Sequence, residues 1–320
     1  MAASPRIDAK MAGRGLSRRQ ALTAVAALPA AALAAGAGAP AARAQAAPAG
    51  DAAAARFGLG GFSVTSLLAG TRILENPHGT FGTDVAPEAF AAAAEAAFLP
   101  VAASRNFFTP VLVETGSESV LFDTGLDADG LGAALALAGV APEAVTLVVL
   151  SHMHGDHIGG LTGAGGAAFL PNARYATGRV EFDHWAAQAN EGFEAKVRPL
   201  AERMTFLEDG DQVLPGITAL AAAGHTPGHM IFHLEDAGRR LMLTADTANH
   251  YVFSLAHPDW EVRFDADKAA AAATRRRVFD QIAAERIPFV GYHMPFPGLG
   301  YVEPQGEGFR FVPHSYQLTL

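Results

Sequence analysis

The residues best suited to chemistry in this sequence are three histidines and one aspartate that lie within six positions. Residues 151–160 read Ser-His-Met-His-Gly-Asp-His-Ile-Gly-Gly and contain His152, His154, Asp156 and His157. Neutral imidazole and carboxylate are the ligands that Zn²⁺ and similar divalent metals prefer. His152 and His154 are two residues apart, so they point to one side of an extended chain. Asp156 and His157 follow a glycine and can face a second position. The loop therefore predicts one metal site and favours two adjacent ones.

A surface loop that happens to be rich in histidine is the alternative interpretation of this segment. Expression tags have such a composition, but they do not follow a core strand or contain an interleaved aspartate. Residues 145–150 read Val-Thr-Leu-Val-Val-Leu, and this apolar, β-branched run predicts a short buried strand just before the loop. We therefore expect the histidines at the end of a strand.

Three later segments place further candidate ligands after predicted strands. A tight loop at 224–229 reads Gly-His-Thr-Pro-Gly-His and offers His225 and His229. Asp246 follows the apolar run at 241–243, and His293 follows a short strand pattern. Loops gather into sites at the ends of strands, so these residues are candidates to complete the site. The sequence alone does not decide between His225 and His229 as a ligand.

Composition limits the kinds of chemistry that are available. The chain has 320 residues, half of them hydrophobic, which is ample for one sizeable core or two smaller ones. It contains no cysteine, so thiolate-ligated metal sites and cysteine nucleophiles are excluded. The absence of cysteine is also compatible with an oxidising compartment.

The first 46 residues have the layout of an export signal. A basic start leads to Ser-Arg-Arg-Gln-Ala-Leu at 17–22, an apolar stretch at 21–35, and small-residue cleavage options at 42–44 or 44–46. The adjacent arginines resemble a twin-arginine leader. We therefore expect a periplasmic or secreted protein that has no membrane contact after cleavage. An uncleaved anchor is the alternative, although the apolar stretch is short and interrupted by glycine and proline.

The remainder of the chain is strongly acidic. Six of the 23 Lys and Arg residues and one of the 32 Asp and Glu residues lie within 1–46, so the rest has a net charge of −14. Nucleic acids and anionic membranes bind to basic patches. We therefore expect a small-molecule substrate and no nucleic-acid partner.

Hydrophobic periodicity divides the remaining residues into a linker at 47–60 and one domain at 61–320. Strands are predicted at 62–73, 107–114, 119–123, 145–150, 174–177, 217–223, 230–234, 240–245 and 288–292, and helices at 87–98, 131–138, 179–189, 193–205 and 265–285. Strands come first in pairs and then alternate with helices. This order favours two packed sheets with helices outside over one doubly wound parallel sheet.

Taken together, the motifs resemble the metallo-β-lactamase superfamily. The resemblance rests on the H-x-H-x-D-H loop at 152–157, on H-T-P-G-H at 225–229, and on the later Asp246 and His293. Phe-Asp-Thr-Gly at 122–125 matches the first motif of that family, and the resemblance covers nearly all of 60–320 in order. It implies an α/β fold, a four-layer αββα sandwich with a dinuclear metal site at one edge.

The resemblance also implies a ligand set for two divalent metal ions, with zinc expected, although such sets also bind Mn, Co or Fe. The ligands form two groups of three with one shared carboxylate: His152, His154 and His225 on the first metal, Asp156, His157 and His293 on the second, and Asp246 between them. Family precedent selects His225 as the ligand. His229 and Asp123 then become hydrogen-bonding partners behind the ligands.

Segments outside the metal motifs are most similar to the methyl parathion hydrolase-like branch, which also includes lactonases and aryl-esterases. These segments are 97–100, 263–268, 293–301 and 308–313. True β-lactamases of this fold generally lack the bridging acid, and several use a cysteine ligand. The insert at 188–197 looks shorter than in the branch, which leaves phosphotriester hydrolysis open.

The expected function is that of an exported dinuclear hydrolase of esters, lactones or organophosphate triesters, acting through a metal-bridging hydroxide. Asp246 and Asp156 are the predicted catalytic carboxylates, and Asp246 is able to pass a proton to the leaving group. The alternatives are another hydrolase of the fold, such as a β-lactamase or thioesterase, and a non-catalytic metal-binding protein. Relatives are often dimers, so a homodimer is also open.

Five aromatic or histidine residues are candidates to line the substrate pocket, since aromatic walls are common in small-molecule sites. They are Phe107, Phe108, Trp185, His250 and Tyr251. Ordinary core packing is the alternative role for each of them.

Overall fold

The apolar runs of the sequence form the strands of two large sheets in the computed structural model, which describes residues 52–315. In chain order the strands are β1 (Ala53–Leu59), β2 (Phe62–Leu68), β3 (Thr71–Glu75), β4 (Ala103–Phe107), β5 (Val111–Glu114), β6 (Ser119–Phe122), β7 (Leu147–Leu150), β8 (Arg174–Gly178), β9 (Met204–Leu207), β10 (Gln212–Leu214), β11 (Ile217–Ala221), β12 (Met230–Asp236), β13 (Arg239–Ala245), β14 (Phe289–Gly291), β15 (Leu299–Gln305) and β16 (Gly308–Pro313). The α-helices of this region are α1 (Pro87–Ala96), α2 (Ala128–Ala138), α3 (Gly155–Ile158), α4 (Arg179–Ala186), α5 (Glu191–Lys196) and α6 (Lys268–Glu285).

The two sheets have seven strands each and pack face to face. Their spatial orders are β1-β2-β5-β6-β7-β8-β9 and β10-β11-β12-β13-β14-β15-β16, and β3 pairs with β4 in a separate two-stranded sheet. Side chains such as Val149 of the first sheet and Phe232 of the second share one core between the sheets. Helices α2, α4 and α5 cover the outer face of the first sheet, and α6 covers that of the second. The αββα sandwich is thus confirmed.

Both sheets present strand ends at the edge where the candidate ligands lie. In the first sheet β6, β7 and β8 are parallel, and in the second β13 and β14 are parallel. Asp123 directly follows β6, and the histidine-rich loop directly follows β7. Asp246 directly follows β13, and His293 lies two residues after β14. Ligands separated by more than a hundred residues are therefore carried to one place by the sheets.

Several predicted helices are confirmed, and the structure shows which residues begin and end them. Helix α2 starts after Asp127, whose Oδ1 accepts a hydrogen bond of 2.8 Å from the Gly130 N–H, and it stops at Gly139, where φ is 76°. A glycine adopts this left-handed conformation without the steric cost that other residues incur. Helix α6 starts after Asp267, which caps the Ala270 N–H in the same way.

The predicted linker at 47–60 is wrong over its second half. Residues Ala53–Leu59 form β1 and pair with β2 along their whole length, from Ala53 opposite Leu68 to Leu59 opposite Phe62. Phe57 and Leu59 face the core between the sheets, and this burial stabilises the strand. The alanines at the start of β1 hide, in the sequence, the alternation of apolar and polar side chains that is typical of a strand. The export-signal prediction at 1–46 lies outside the described residues.

Two other predicted elements are divided in the structure. The strand at 62–73 is split at Gly70, where φ is 146°, and Thr71 begins the separate pair of β3 with β4. The helix at 193–205 becomes α5, a 3₁₀ turn over Arg198–Arg203, and β9. Pro199 disfavours the α conformation at the residue before it, which ends α5 early. Within the described residues, no helix is long and apolar enough to cross a membrane.

Candidate metal centre

The seven predicted ligands meet at one edge of the sandwich. Their donor atoms form three overlapping groups in which all atoms lie within 4.8 Å of one another: His152 with His154 and His225, His152 with His157 and Asp246, and Asp156 with His157 and His293. We call His152, His154 and His225 the first cluster, and Asp156, His157 and His293 the second cluster. Within residues 52–315, these are the groups of metal-ligand side chains with such spacing.

In the first cluster, three imidazole nitrogens face one another. His154 Nδ1 lies 3.0 Å from His152 Nε2 and 3.0 Å from His225 Nε2, and the rings stand nearly perpendicular. Burial, followed by the charge of His225, lowers the pKa of His154 to about 4. Burial likewise holds the pKa of His152 well below its ordinary value. Both rings are therefore neutral near pH 7, which is the form that binds metal.

In the second cluster, the donor atoms are spaced slightly more widely. His293 Nε2 lies 3.4 Å from Asp156 Oδ2, and His157 Nε2 lies 3.8 Å from the same oxygen. Burial acts to lower the pKa of His157, but Asp246, Asp123 and Asp156 outweigh it and raise that pKa well above its ordinary value. The surroundings of His157 thus favour a positive charge, and a bound cation supplies one.

Asp246 lies between the two clusters. Its Oδ2 is 3.3 Å from His225 Nε2 and 3.2 Å from His293 Nε2, while its Oδ1 is 3.1 Å from His157 Nε2. Burial acts to raise the pKa of this carboxyl, but His293 and His157 outweigh it and hold the pKa well below its usual range. One carboxylate therefore reaches both clusters.

Hydrogen bonds on the outer side of the rings set which nitrogen faces the centre. The Nδ1–H groups of His157 and His225 donate to Asp123 Oδ2 and Asp265 Oδ1, each over 2.8 Å. His293 Nδ1 donates to a backbone carbonyl over 2.8 Å. In the neutral form of such a ring the other nitrogen, Nε2, carries a lone pair. These lone pairs all point inwards.

Two buried atoms test whether this arrangement fits metal ions. His157 Nε2 and Asp246 Oδ1 are fully buried and have no hydrogen-bond partner, although they lie only 3.1 Å apart. Orphaned buried polar atoms destabilise a protein by about 1–3 kcal/mol each. A cation that both atoms coordinate removes that cost. The donor set therefore fits two divalent ions, one at each cluster, with Asp246 shared.

The predicted supporting residues lie behind the ligands. Asp123 accepts hydrogen bonds from the Ser151 N–H (2.8 Å) and Ser151 Oγ (2.7 Å) in addition to His157. His229 Nδ1 donates to the Ala222 carbonyl, and His229 Nε2 accepts the Asp246 N–H, both over 3.1 Å. Both ring nitrogens of His229 are thus used, and the ring holds the backbone of the bridging aspartate.

An Asp–Arg pair behind His225 was missed in the sequence. Besides His225, Asp265 binds Arg275 Nη2 over 3.0 Å, and the Arg275 side chain is only 1% exposed. Arg275 also donates to the Thr247 carbonyl (2.9 Å) and the Pro258 carbonyl (2.6 Å). One buried guanidinium thus connects helix α6 to the segment next to Asp246. Asp265 and His225 are 40 residues apart, so no local pattern indicates their contact.

The metal centre opens into a cavity of about 560 Å³. Its apolar lining comes from Ile73, Leu74, Phe81, Phe108, Leu126 and Phe264, and its polar lining beyond the ligands from Arg72, Asn106 and Asn249. Phe108 stands edge-on to His293 with ring centroids 5.5 Å apart. Of the five predicted pocket residues, Phe108 is the one that lines this cavity.

The other four predicted pocket residues lie outside the lining of this cavity. The side chains of Phe107, His250 and Tyr251 line a separate apolar cavity of about 390 Å³. His250 is fixed there because its Nδ1 accepts the N–H groups of Val252 and Phe253, each over 3.1 Å. Trp185 stands edge-on to His154 at 5.8 Å, outside the lining of the larger cavity.

Comparison with known proteins agrees with this geometry. The sequence profile of the Metallo-beta-lactamase superfamily matches residues 109–288. An N-acyl homoserine lactonase from Bacillus sp is 28% identical over 203 residues, covering 57% of this chain and 76% of that protein. One from Bacillus cereus is 26% identical over 201 residues, with the same coverage.

Two solved structures share the fold. AidC, described as a dizinc quorum-quenching lactonase in complex with a product N-hexnoyl-L-homoserine, superposes with a TM-score of 0.77 at 24% identity, covering 83% of this chain and 98% of its own. The hydrolase AbOPH gives a TM-score of 0.76 at 23% identity, covering 83% and 99%. At these identities the likeness concerns the fold.

Proposed function

Since this chain belongs to the metallo-β-lactamase superfamily and is a metal-dependent hydrolase, we propose that it is a lactonase that opens acylated lactones, with N-acyl homoserine lactones as the leading substrate class. The observation that supports this most is the position of Asp246, which is shared by two clusters that open into one largely apolar cavity. The names of the sequence relatives point to the same substrates.

Two divalent ions held by these ligands would, when bound, supply an activated water molecule and polarise the carbonyl that is attacked. The protein residues perform the remaining tasks. The three outward hydrogen bonds of His157, His225 and His293 hold each Nε2 towards the centre. Phe108 and Phe264 cover apolar parts of the substrate. They displace water from the cavity and so stabilise binding of an acyl chain.

Ring opening of a lactone requires a proton at the alkoxide that leaves. Asp246 and Asp156 both line the cavity, so both are within the space that the substrate occupies. We assign the transfer to Asp246, because it is shared by the clusters: its carboxylate accepts the proton that the attacking water releases and passes it to the leaving alkoxide. We assign to Asp156 a role in holding the second ion. Asn249 Nδ2 donates to Asp246 Oδ2 over 2.8 Å and keeps that carboxylate in place.

A panel of substrates tests the proposal. N-hexanoyl homoserine lactone, phenyl acetate, methyl paraoxon and nitrocefin are compared at equal enzyme concentration, with metal content measured by mass spectrometry. We expect the highest kcat/KM for the lactone and loss of all turnover after treatment with a chelator. Turnover that survives metal removal, or a protein with two bound metals that leaves the lactone intact, contradicts the proposal. A preference for methyl paraoxon or nitrocefin instead supports the organophosphate or β-lactam alternative.

We also propose that residues 1–46 direct export through the twin-arginine route. The support is the Arg18-Arg19 pair followed by an apolar stretch and small residues. Fractionation of cells that express the full chain tests this, with an Arg18→Lys, Arg19→Lys variant as the control. The wild-type chain is expected outside the cytoplasm in a shortened form, and equal retention of both chains contradicts the proposal.

A further inference from the structure

Glu181, in the first turn of α4, is a fully buried carboxylate that accepts four hydrogen bonds. Its Oε1 accepts the Met153 N–H (3.0 Å) and the Trp185 Nε1–H (2.6 Å). Its Oε2 accepts the Thr226 Oγ1–H (2.7 Å) and the Gly228 N–H (3.0 Å). All four of these donors are neutral groups: two backbone N–H groups, an indole N–H and a hydroxyl. Burial of a carboxylate without an opposite charge is costly, so these four donors must compensate it.

Three of the four donors belong to the two loops that supply the first cluster. Met153 lies between His152 and His154, and Thr226 directly follows His225. His154 and His225, one from each loop, are 71 residues apart in the chain. Glu181 hydrogen-bonds to the backbone of the first loop at Met153 and to the second loop at Thr226 and Gly228. A shift of either loop therefore changes the distances among the three imidazoles.

The second loop packs against α4 as closely as a backbone permits. A Cβ added at Gly228 would lie 2.1 Å from Glu181 N and 2.5 Å from Glu181 Cα. Any side chain at this position would push the loop away from the helix. The glycine thus lets the Gly228 N–H reach the carboxylate, and α4 serves as the surface on which the His225 loop rests.

Trp185 extends the same arrangement to His154. Its indole N–H is held by Glu181, and its ring stands edge-on to His154 at 5.8 Å. Trp185 is four residues after Glu181, so both side chains lie on one face of α4. The carboxylate therefore restrains the His154 ring as well as the two loop backbones.

We propose that Glu181 is a positioning residue that holds the two histidine loops in register, and that it thereby sets the metal affinity of the first cluster. It touches no imidazole, so it acts through the backbone and through Trp185. Groups that support metal ligands typically contribute about 10–100-fold to metal affinity. The inference rests on the metal centre of the proposed function, but metal affinity does not depend on which substrate is hydrolysed.

Glu181→Gln is the informative change because it keeps the shape and replaces one oxygen by an NH₂ donor. In either orientation of the amide, its NH₂ group faces two of the four groups that donate to the carboxylate in the wild type. The Thr226 hydroxyl is able to rotate and accept, so the NH₂ group is expected on that side, where it opposes the Gly228 N–H. The His225 loop is then the part that loosens.

Zinc binding to the metal-free protein is measured by calorimetry and by competition with a chromophoric chelator. For Glu181→Gln we expect the affinity of one of the two sites to fall about 10–100-fold, with the other within threefold. Glu194→Gln is the matched control, because Glu194 is an exposed helical glutamate paired with Arg198, and both its affinities should equal those of the wild type. Thr226→Val, which removes a single donor, should weaken the same site and serves if Glu181→Gln does not fold.

Two outcomes separate this inference from the proposed function. If the wild-type protein binds no zinc, the metal centre itself is refuted. If the wild type binds two ions, and Glu181→Gln and Thr226→Val lower the melting temperature of the metal-free protein but leave both affinities unchanged, Glu181 only supports folding and the positioning role is refuted.

Discussion

Asp265→Asn should destabilise the protein even without metal, because it leaves the Arg275 guanidinium buried and unpaired. The side chains of Asp265 and Arg275 are each 1% exposed, and their ion pair measures 3.0 Å. Removing one partner of a buried pair typically costs about 3–5 kcal/mol of unfolding free energy. Two backbone carbonyls still accept from Arg275 in the variant. We therefore expect a loss near the lower end, about 3 kcal/mol.

The pH dependence of this loss follows from the pKa of Asp265. Burial acts to raise that pKa, but His225 and Arg275 outweigh it and lower the pKa below the ordinary value of 3.8. A carboxyl with a lowered pKa in the folded state stabilises the protein above its unfolded pKa, and the stabilisation is lost as the pH falls through the folded pKa. The difference between wild type and variant should therefore be full at neutral pH and shrink below about pH 4.

The assay is urea unfolding of the metal-free protein, followed by circular dichroism. In thermal unfolding of the same metal-free protein, a loss of about 3 kcal/mol corresponds to a fall of about 6–12 °C in melting temperature for a chain of this size. Asp280→Asn is the control, since Asp280 is exposed on the same helix α6, and it should change stability by less than about 0.5 kcal/mol.

A double variant separates the charge from the contact with His225. Adding Arg275→Met to Asp265→Asn removes the unpaired charge, so stability without metal should be largely recovered. Zinc affinity should stay about 10–100-fold below wild type, since His225 still lacks its carboxylate. A cost below about 1 kcal/mol for Asp265→Asn alone would refute the reasoning about the buried pair.

Three further predictions concern the site and its surroundings. Asp246→Asn should leave a folded protein that has lost most hydrolysis, as measured by lactone turnover beside metal content; near-normal turnover with both metals bound contradicts it. Phe108→Ala should raise KM for long-chain lactones about tenfold or more by removing apolar contact, with metal content unchanged, whereas an equal effect on short and long chains speaks against an acyl contact. Burial, followed by the charge of His293, lowers the pKa of His250 to about 3, so wild-type stability should fall by about 1.4 kcal/mol per pH unit below 6.5 through this residue. The variant His250→Asn keeps an acceptor for the Val252 N–H. Without metal, the slope of its unfolding free energy against pH should be smaller than that of the wild type by about 1.4 kcal/mol per pH unit, the contribution of one proton. Equal slopes for the two proteins contradict the prediction.

The sequence predicted those parts of the site that depend on local pattern. The His152–His157 loop follows an apolar run, and Asp246 follows another, so strand ends and ligand types are visible together. Helix α2 was predicted at 131–138, and the structure begins it at Ala128, directly after the Asp127 cap. These features each depend on residues within about ten positions.

The missed residues act over long distances in the chain. Glu181 is 28–47 residues from its loop partners, and Asp265 is 40 residues from His225. In the sequence, no neighbouring residue distinguishes Glu181 or Asp265 from other acidic residues. Only the fold brings the groups that donate hydrogen bonds to these carboxylates close to them. Phe108 lines the cavity of the metal centre as predicted, whereas Phe107 and Tyr251 are aromatic and near the site in sequence but line a different cavity. The direction of the Phe107 side chain is set by the pairing of β4 with β3. The sequence pattern assigns the first residues of β3 to the longer predicted strand at 62–73.

The ligands of each ion come from both sheets, and this division makes the metals cross-links of the chain. In the first cluster, His154 of the first sheet faces His225 of the second across 71 residues. In the second cluster, Asp156 and His157 belong to the first sheet and His293 to the second. Neither site exists until the two sheets have packed, so the binding free energy of each ion adds to the free energy of folding. In a chain without cysteine, two ions thus close long loops in the way that disulfide bonds do in other proteins.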